Sequence, residues 1–136
     1  MLWSLWSNNR KGKPQGVYSH ETALSIHDLS DVMPAHLYMT VPSSFRKSAK
    51  IPKVLVIHRA ILAASDIQEM DGYSVTRPLR TILDVAAAET TSADLLEQAV
   101  RQSLQRGLVK RDDLAKATRM NPSSPLAEIV RRTSHR

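Results

Sequence analysis

The chain has 136 residues, of which 42% are hydrophobic, so it is long and apolar enough for one domain with its own core and is not a disordered segment. Nineteen Lys and Arg against thirteen Asp and Glu give a formal charge of +6, which favours an anionic partner, although a net charge of this size also serves solubility. The absence of cysteine excludes a disulfide framework, a zinc–thiolate site and a thiol nucleophile.

Aromatic residues make up only 4% of the chain, which argues against a stacking platform for single-stranded nucleic acid and leaves the core to Leu, Ile, Val and Ala. No apolar run approaches the roughly 20 residues of a membrane span, so no membrane partner is expected. The apolar start from Met1 to Trp6 precedes the basic residues Arg10, Lys11 and Lys13, the reverse of a secretory signal. The expectation is a cytoplasmic protein.

Residues 1–15 are polar, basic and turn-prone after Trp6 and read as a flexible basic arm, with residues 16–136 as the folded domain. A first helix opens at Ser19, a good N-cap, with Glu21 in the first turn and Ala23, Leu24 and His27 on one face. Pro34 and Pro42 bound a predicted strand, Leu37–Val41, and a polar loop follows from Ser43 to Lys50. The run Val54–Ile57 predicts a strand buried on both faces. Asp66–Met70 and Tyr73–Thr76 flank Asp71-Gly72 as a hairpin.

The second half is helical. Thr76 is the predicted cap of a helix with Pro78 in its first turn and Leu79, Ile82, Leu83 and Ala86 at the spacing of one helical face. Thr91-Ser-Ala-Asp94 opens the next helix, which buries Leu96, Ala99, Val100 and Leu104, pairs Glu97 with Arg101 and stops at Gly107. A short helix from about Asp112 to Thr118 precedes a last one opened by Pro125, with Leu126, Ile129 and Val130 on one side. Strands grouped ahead of helices predict an α+β fold: a small, mostly antiparallel sheet packed with a C-terminal set of helices.

The chemistry-bearing motifs are few. His20-Glu21 begins like a zinc-protease helix, but Leu24 stands where the second histidine belongs, and His20 and His27 have no third ligand partner; neither a metal nor a cofactor is expected. No nucleophile elbow, glycine-rich phosphate loop or paired carboxylates stand out, so no catalytic residue is assigned. What remains is basic. Arg46, Lys47, Lys50 and Lys53 cluster around the loop between two strands, Arg59 follows the second, and Arg77 and Arg80 start a helix. These seven are the candidate nucleic-acid-binding residues; the alternative is an ordinary solvated surface, with Arg80 pairing with Asp84.

From Gly16-Val-Tyr-Ser-His-Glu-Thr-Ala-Leu24 onward the chain resembles a known family. The match runs through Leu29-Ser-Asp-Val-Met-Pro34, His36-Leu-Tyr-Met-Thr-Val-Pro42, Val56-Ile-His-Arg59 and Met70-Asp-Gly-Tyr-Ser-Val-Thr-Arg-Pro-Leu-Arg-Thr-Ile-Leu-Asp84, and weakly through Arg106-Gly-Leu108. These segments are similar in order and spacing to the AbiEi antitoxins of bacterial type IV toxin–antitoxin systems. The resemblance implies a DNA-binding transcriptional regulator that joins a winged helix to a C-terminal domain. It also implies a functional partner, a nucleotidyltransferase-like toxin, which is countered without a stable complex. Gly16-Val-Tyr18 resembles the end of the wing strand, and residues 1–15 are too short to form a winged helix, so the expectation is a C-terminal antitoxin domain alone.

The leading expectation is therefore a non-enzymatic antitoxin or regulatory domain whose basic face contacts DNA, tRNA or the toxin's anionic substrate. A protein-interaction module docking on a partner chain, anchored by Trp3 and Trp6, is the alternative. A nuclease-like enzyme is the third reading, and it requires carboxylates and a lysine gathered around a metal.

Overall fold

The computed structural model of the chain describes residues 16–31, 34–42, 45, 53–89 and 91–133. The expected arm with Trp3 and Trp6, the basic residues Arg46, Lys47 and Lys50, and the tail from 134 to 136 lie outside the described residues. The elements in chain order are β1 (Val17–Tyr18), α1 (His20–Ile26), β2 (Leu37–Val41), β3 (Leu55–Arg59), a short 3₁₀ turn (Ala64–Asp66), β4 (Ile67–Met70), β5 (Tyr73–Thr76), α2 (Pro78–Ala88), α3 (Ala93–Gln105), α4 (Arg111–Thr118) and α5 (Pro125–Thr133). This is the α+β fold with C-terminal helices that the residue pattern predicts.

The five strands form one sheet in the order β3-β2-β1-β5-β4. Its pairing is mixed: β1–β2 and β4–β5 are antiparallel, while β1–β5 and β2–β3 are parallel. Local sequence shows the hairpin but not the parallel joins, because these link segments far apart in the chain. The hairpin turns through Asp71-Gly72, with Met70 opposite Tyr73 and Gly72 at φ 85°, a region open to glycine. β3 lies at the sheet edge, so Leu55 is buried but Val56 and Ile57 are only half-buried. The expected burial on both faces is not met, since an edge strand has a neighbour on one side only.

Ser19 sits at the N-cap of α1 but makes no cap bond; its hydroxyl is engaged elsewhere. Arg77, not Thr76, is the N-cap residue of α2, and the Thr76 hydroxyl instead meets that of Thr81 at 2.6 Å. Ser92 caps α3 by accepting from the Leu95 amide, and Gly107 follows that helix at φ 71°. Glu97 and Arg101 pair across one turn at 3.5 Å.

Two apolar cores result. One lies among the helices and includes Leu24, Leu29, Ile82, Val85, Val100 and Ile129; the other lies at the sheet and includes Tyr18, Ala23, Met39, Val41 and Val75. Helix α1 is the wall between them, giving Leu24 to the first and Ala23 to the second. Gly16 enters β1 so close to the buried Met39 side chain that any Cβ there would collide with it. Gly16→Ala is therefore expected to lower stability by about 1–3 kcal/mol, the usual cost of overpacking, read as a reduced urea midpoint with unchanged m-value.

Candidate functional site

Strand direction decides which side chains share an end of the sheet. β1 and β5 run one way, β2, β3 and β4 the other. The residues just after β1 and β5 therefore lie at the same end as those just before β2, β3 and β4. That end collects Ser19 and His20, Arg77 and Arg80, His36, Lys53 and Asp66. Arg59, the last residue of β3, lies at the opposite end.

An aromatic cluster lies on the sheet face that adjoins this end, reaching from His36 and Tyr38 to His58 near the far end of β3. The His20 and His58 rings stack at 3.9 Å between centroids with 17° between planes. Tyr38 lies 6.2 Å from each of them and 6.4 Å from His36. Thr40 and His58 are register partners in the parallel β2–β3 pair, and Tyr38 is two residues before Thr40 on the same strand. Alternation along a strand therefore puts Tyr38, Thr40 and His58 on one face.

His20 is held there by a hydroxyl chain: Thr40 donates to Ser19 Oγ at 2.8 Å, and Ser19 Oγ meets His20 Nδ1 at 2.8 Å. This is the arrangement a neutral imidazole needs, with Nδ1 as acceptor. Burial pushes the His20 pKa down to about 4, helped by the charges of His58 and Arg80. His20 also takes φ 55°, a left-handed conformation that is costly for a residue with a side chain.

Beside the cluster, Arg80 bonds Asp84 at 2.9 Å through Nε and reaches Asp66 at 3.6 Å. Burial raises the Asp84 pKa against the pull of Arg80, and among the described residues its Oδ2 is buried with no hydrogen-bond partner. His27 Nε2–H donates to the Thr76 carbonyl at 2.8 Å, and burial lowers the His27 pKa. Arg106 donates to the carbonyls of His27 and Asp28 at 2.8 and 3.1 Å, closing the end of α1. These groups border a cleft of about 780 Å³ lined by His27, Arg77, Arg80 and Arg106 with the carboxylates Asp66 and Asp113.

The candidate residues thus divide. Arg77 and Arg80 come together in the cleft, joined by Arg106 and His27. Lys53 is exposed at the same end of the sheet. Arg59 does not join them: it donates to the Phe45 carbonyl at 2.6 Å and lies over the Phe45 ring. Of these polar contacts, the Arg80–Asp84 pair was open to sequence reasoning, as a four-residue spacing on a helix. The His20–His58 stack was not, since it joins residues 38 apart. Arg106 carried only the weak signal of standing before a helix-ending glycine.

Among the described residues no group of three or more His, Asp or Glu is placed to hold a metal ion, and no helix is long and apolar enough to cross a membrane. No protein-family model matches the chain, and no curated protein matches it.

The acid response follows from His20. Folded, it gains its proton near pH 4; unfolded, near 6.5. Between these values the unfolded chain binds more protons, so stability falls as pH drops through that window. His27 contributes in the same direction. The raised Asp84 carboxyl contributes in the opposite direction, holding a proton in the folded state that the unfolded chain has released. Urea unfolding at pH 7 and pH 5 is expected to show a loss on the order of 2 kcal/mol in the unchanged protein. In His20→Asn, which keeps a residue tolerant of positive φ, the loss should be markedly smaller.

Proposed function

We propose that this chain is a non-enzymatic antitoxin- or regulator-type domain of the AbiEi kind, acting through the cationic end of its sheet on nucleic acid. The supporting observation is the cleft of about 780 Å³ in which three arginines, Arg77, Arg80 and Arg106, gather from α2 and the end of α3. Two of these charges are already engaged: Arg80 by Asp66 and Asp84, Arg106 by the carbonyls ending α1. Arg77 is exposed, with no side-chain hydrogen bond or ion pair among the described residues, and is the cation most available to a phosphate. Lys53 extends the positive surface along the same end of the sheet.

In this reading the partner of the system is a nucleotidyltransferase-like toxin, and the domain competes for, or shields, the anionic substrate that the toxin modifies. The ordered motif resemblance from Gly16 to Asp84 supports the family, and the +6 charge supports the ligand class.

A salt titration tests it. Duplex DNA and tRNA are each expected to bind with log affinity falling linearly in log salt. Arg77→Ala should weaken binding across sequences and reduce the slope by about one, the signature of one lost phosphate contact. Arg59→Ala, at the far end of the sheet, should leave the slope unchanged. Absence of binding to either nucleic acid at low salt would overturn the proposal.

A further inference from the structure

The aromatic cluster on the sheet face is not used by the electrostatic reading, and it is concentrated well beyond what the composition suggests. The chain has five histidines and three tyrosines, and three of those histidines, His20, His36 and His58, surround the one tyrosine, Tyr38. None of these four side chains belongs to either apolar core. Exposure increases outward through the group: His20 is buried, His58 and Tyr38 are half-buried, and His36 is exposed.

We propose that Tyr38, flanked by His36 and His58, is a stacking site for an unpaired nucleobase of a single-stranded or looped nucleic acid. The inference rests on the nucleic-acid reading given above and names the form of nucleic acid that the domain takes. Three features support it. First, the surface is pre-organised: His20 lies flat against His58 at 3.9 Å, and the hydroxyls of Ser19 and Thr40 fix the His20 ring. Second, the His20 ring is carried into this stack by a left-handed backbone at φ 55°, a costly conformation for a non-glycine residue that persists only where the surrounding structure fixes it. Third, cations stand at this end of the sheet, together with the carboxylate of Glu21, whose charge acts on Tyr38. Lys53 precedes β3 and Arg77 follows β5, both at the Tyr38 end of the sheet, so a strand whose base lies on Tyr38 has cations within reach of its phosphates. Rings flanked by cations on a sheet form the usual recognition surface for unstacked bases, because each base has a π-face whatever its identity. A base locked in duplex offers no free face, so the site distinguishes single strands from duplex where the arginine cleft does not.

The test uses the full chain and fluorescently labelled ten-nucleotide strands of mixed-sequence DNA, the same sequence in RNA, and an abasic DNA strand of equal length and charge, read by anisotropy. The unchanged protein is expected to bind the base-bearing strands about tenfold more tightly than the abasic strand. In Tyr38→Leu that ratio should fall towards one, while Tyr38→Phe should keep it. His36→Ala, at an exposed position that does not threaten folding, should reduce it in part. Preference for RNA over DNA, or the reverse, supports the site and identifies the ligand's source. Equal affinity of the unchanged protein for base-bearing and abasic strands would overturn the stacking site while leaving the electrostatic reading in place. Failure of every strand, duplex DNA and tRNA to bind would overturn both.

Discussion

The fold depends on a strand of two residues. Val17 and Tyr18 form β1, the middle strand of five, antiparallel to β2 on one side and parallel to β5 on the other. Without it the sheet is a parallel pair and a separate hairpin, and a two-stranded unit is marginal in water. So short a strand holds its place by burial rather than by ladder length. Tyr18 is fully buried, its ring meets Tyr73 edge-on at 5.9 Å, and Gly16 lets the backbone pass against Met39. The chain then has only Ser19 in which to turn from strand to helix. The left-handed backbone of His20 follows from that abrupt turn, and with it the position of the imidazole over His58.

Electrostatics at this end of the sheet is more selective than a count of basic residues suggests. Arg80 is drawn to Asp84 and Asp66, tying α2 to the turn before β4. Arg106 is drawn to the carbonyls at the end of α1 and, at the opposite end of the sheet, Arg59 to the Phe45 carbonyl. Each of these cations builds the fold, and a cation with fixed partners gives less to an incoming phosphate than a solvated one. The raised pKa of Asp84 belongs to the same account. Its carboxylate is buried with one oxygen on Arg80 and the other without a partner among the described residues, so desolvation outweighs the attraction of the guanidinium.

Much of this architecture was legible in the sequence, and the limits have physical causes. Strand β2 was bounded by its prolines, the hairpin by Asp71-Gly72, and α2 and α3 by apolar residues at helical spacing, because each signal is local. β1 was not legible as the sheet's centre, since two residues show no alternation. The run from Val54 looked buried on both faces because apolar content does not reveal edge from interior. The same limit applied to the charges: residues near one another in sequence, such as Lys53 and Arg59, bracket a strand and so lie at opposite ends of the sheet. His20 and His58 could not be paired from spacing, since the register of β2 against β3 brings them together.

Composition argued against an aromatic platform, on an average that does not record where rings gather. Histidine is not counted among Phe, Trp and Tyr, yet a neutral imidazole is a flat ring able to stack. Whether it stays neutral is a question of surroundings. At this end of the sheet burial, His58 and Arg80 all oppose protonation of His20. Burial, with the charges of His58 and Arg80 beside it, therefore keeps the His20 ring uncharged within the stack. Under the proposed function, the cations that would attract a nucleic-acid backbone also help to keep the His20 ring uncharged, and the rings would add what charge alone does not have, sensitivity to whether a base is free.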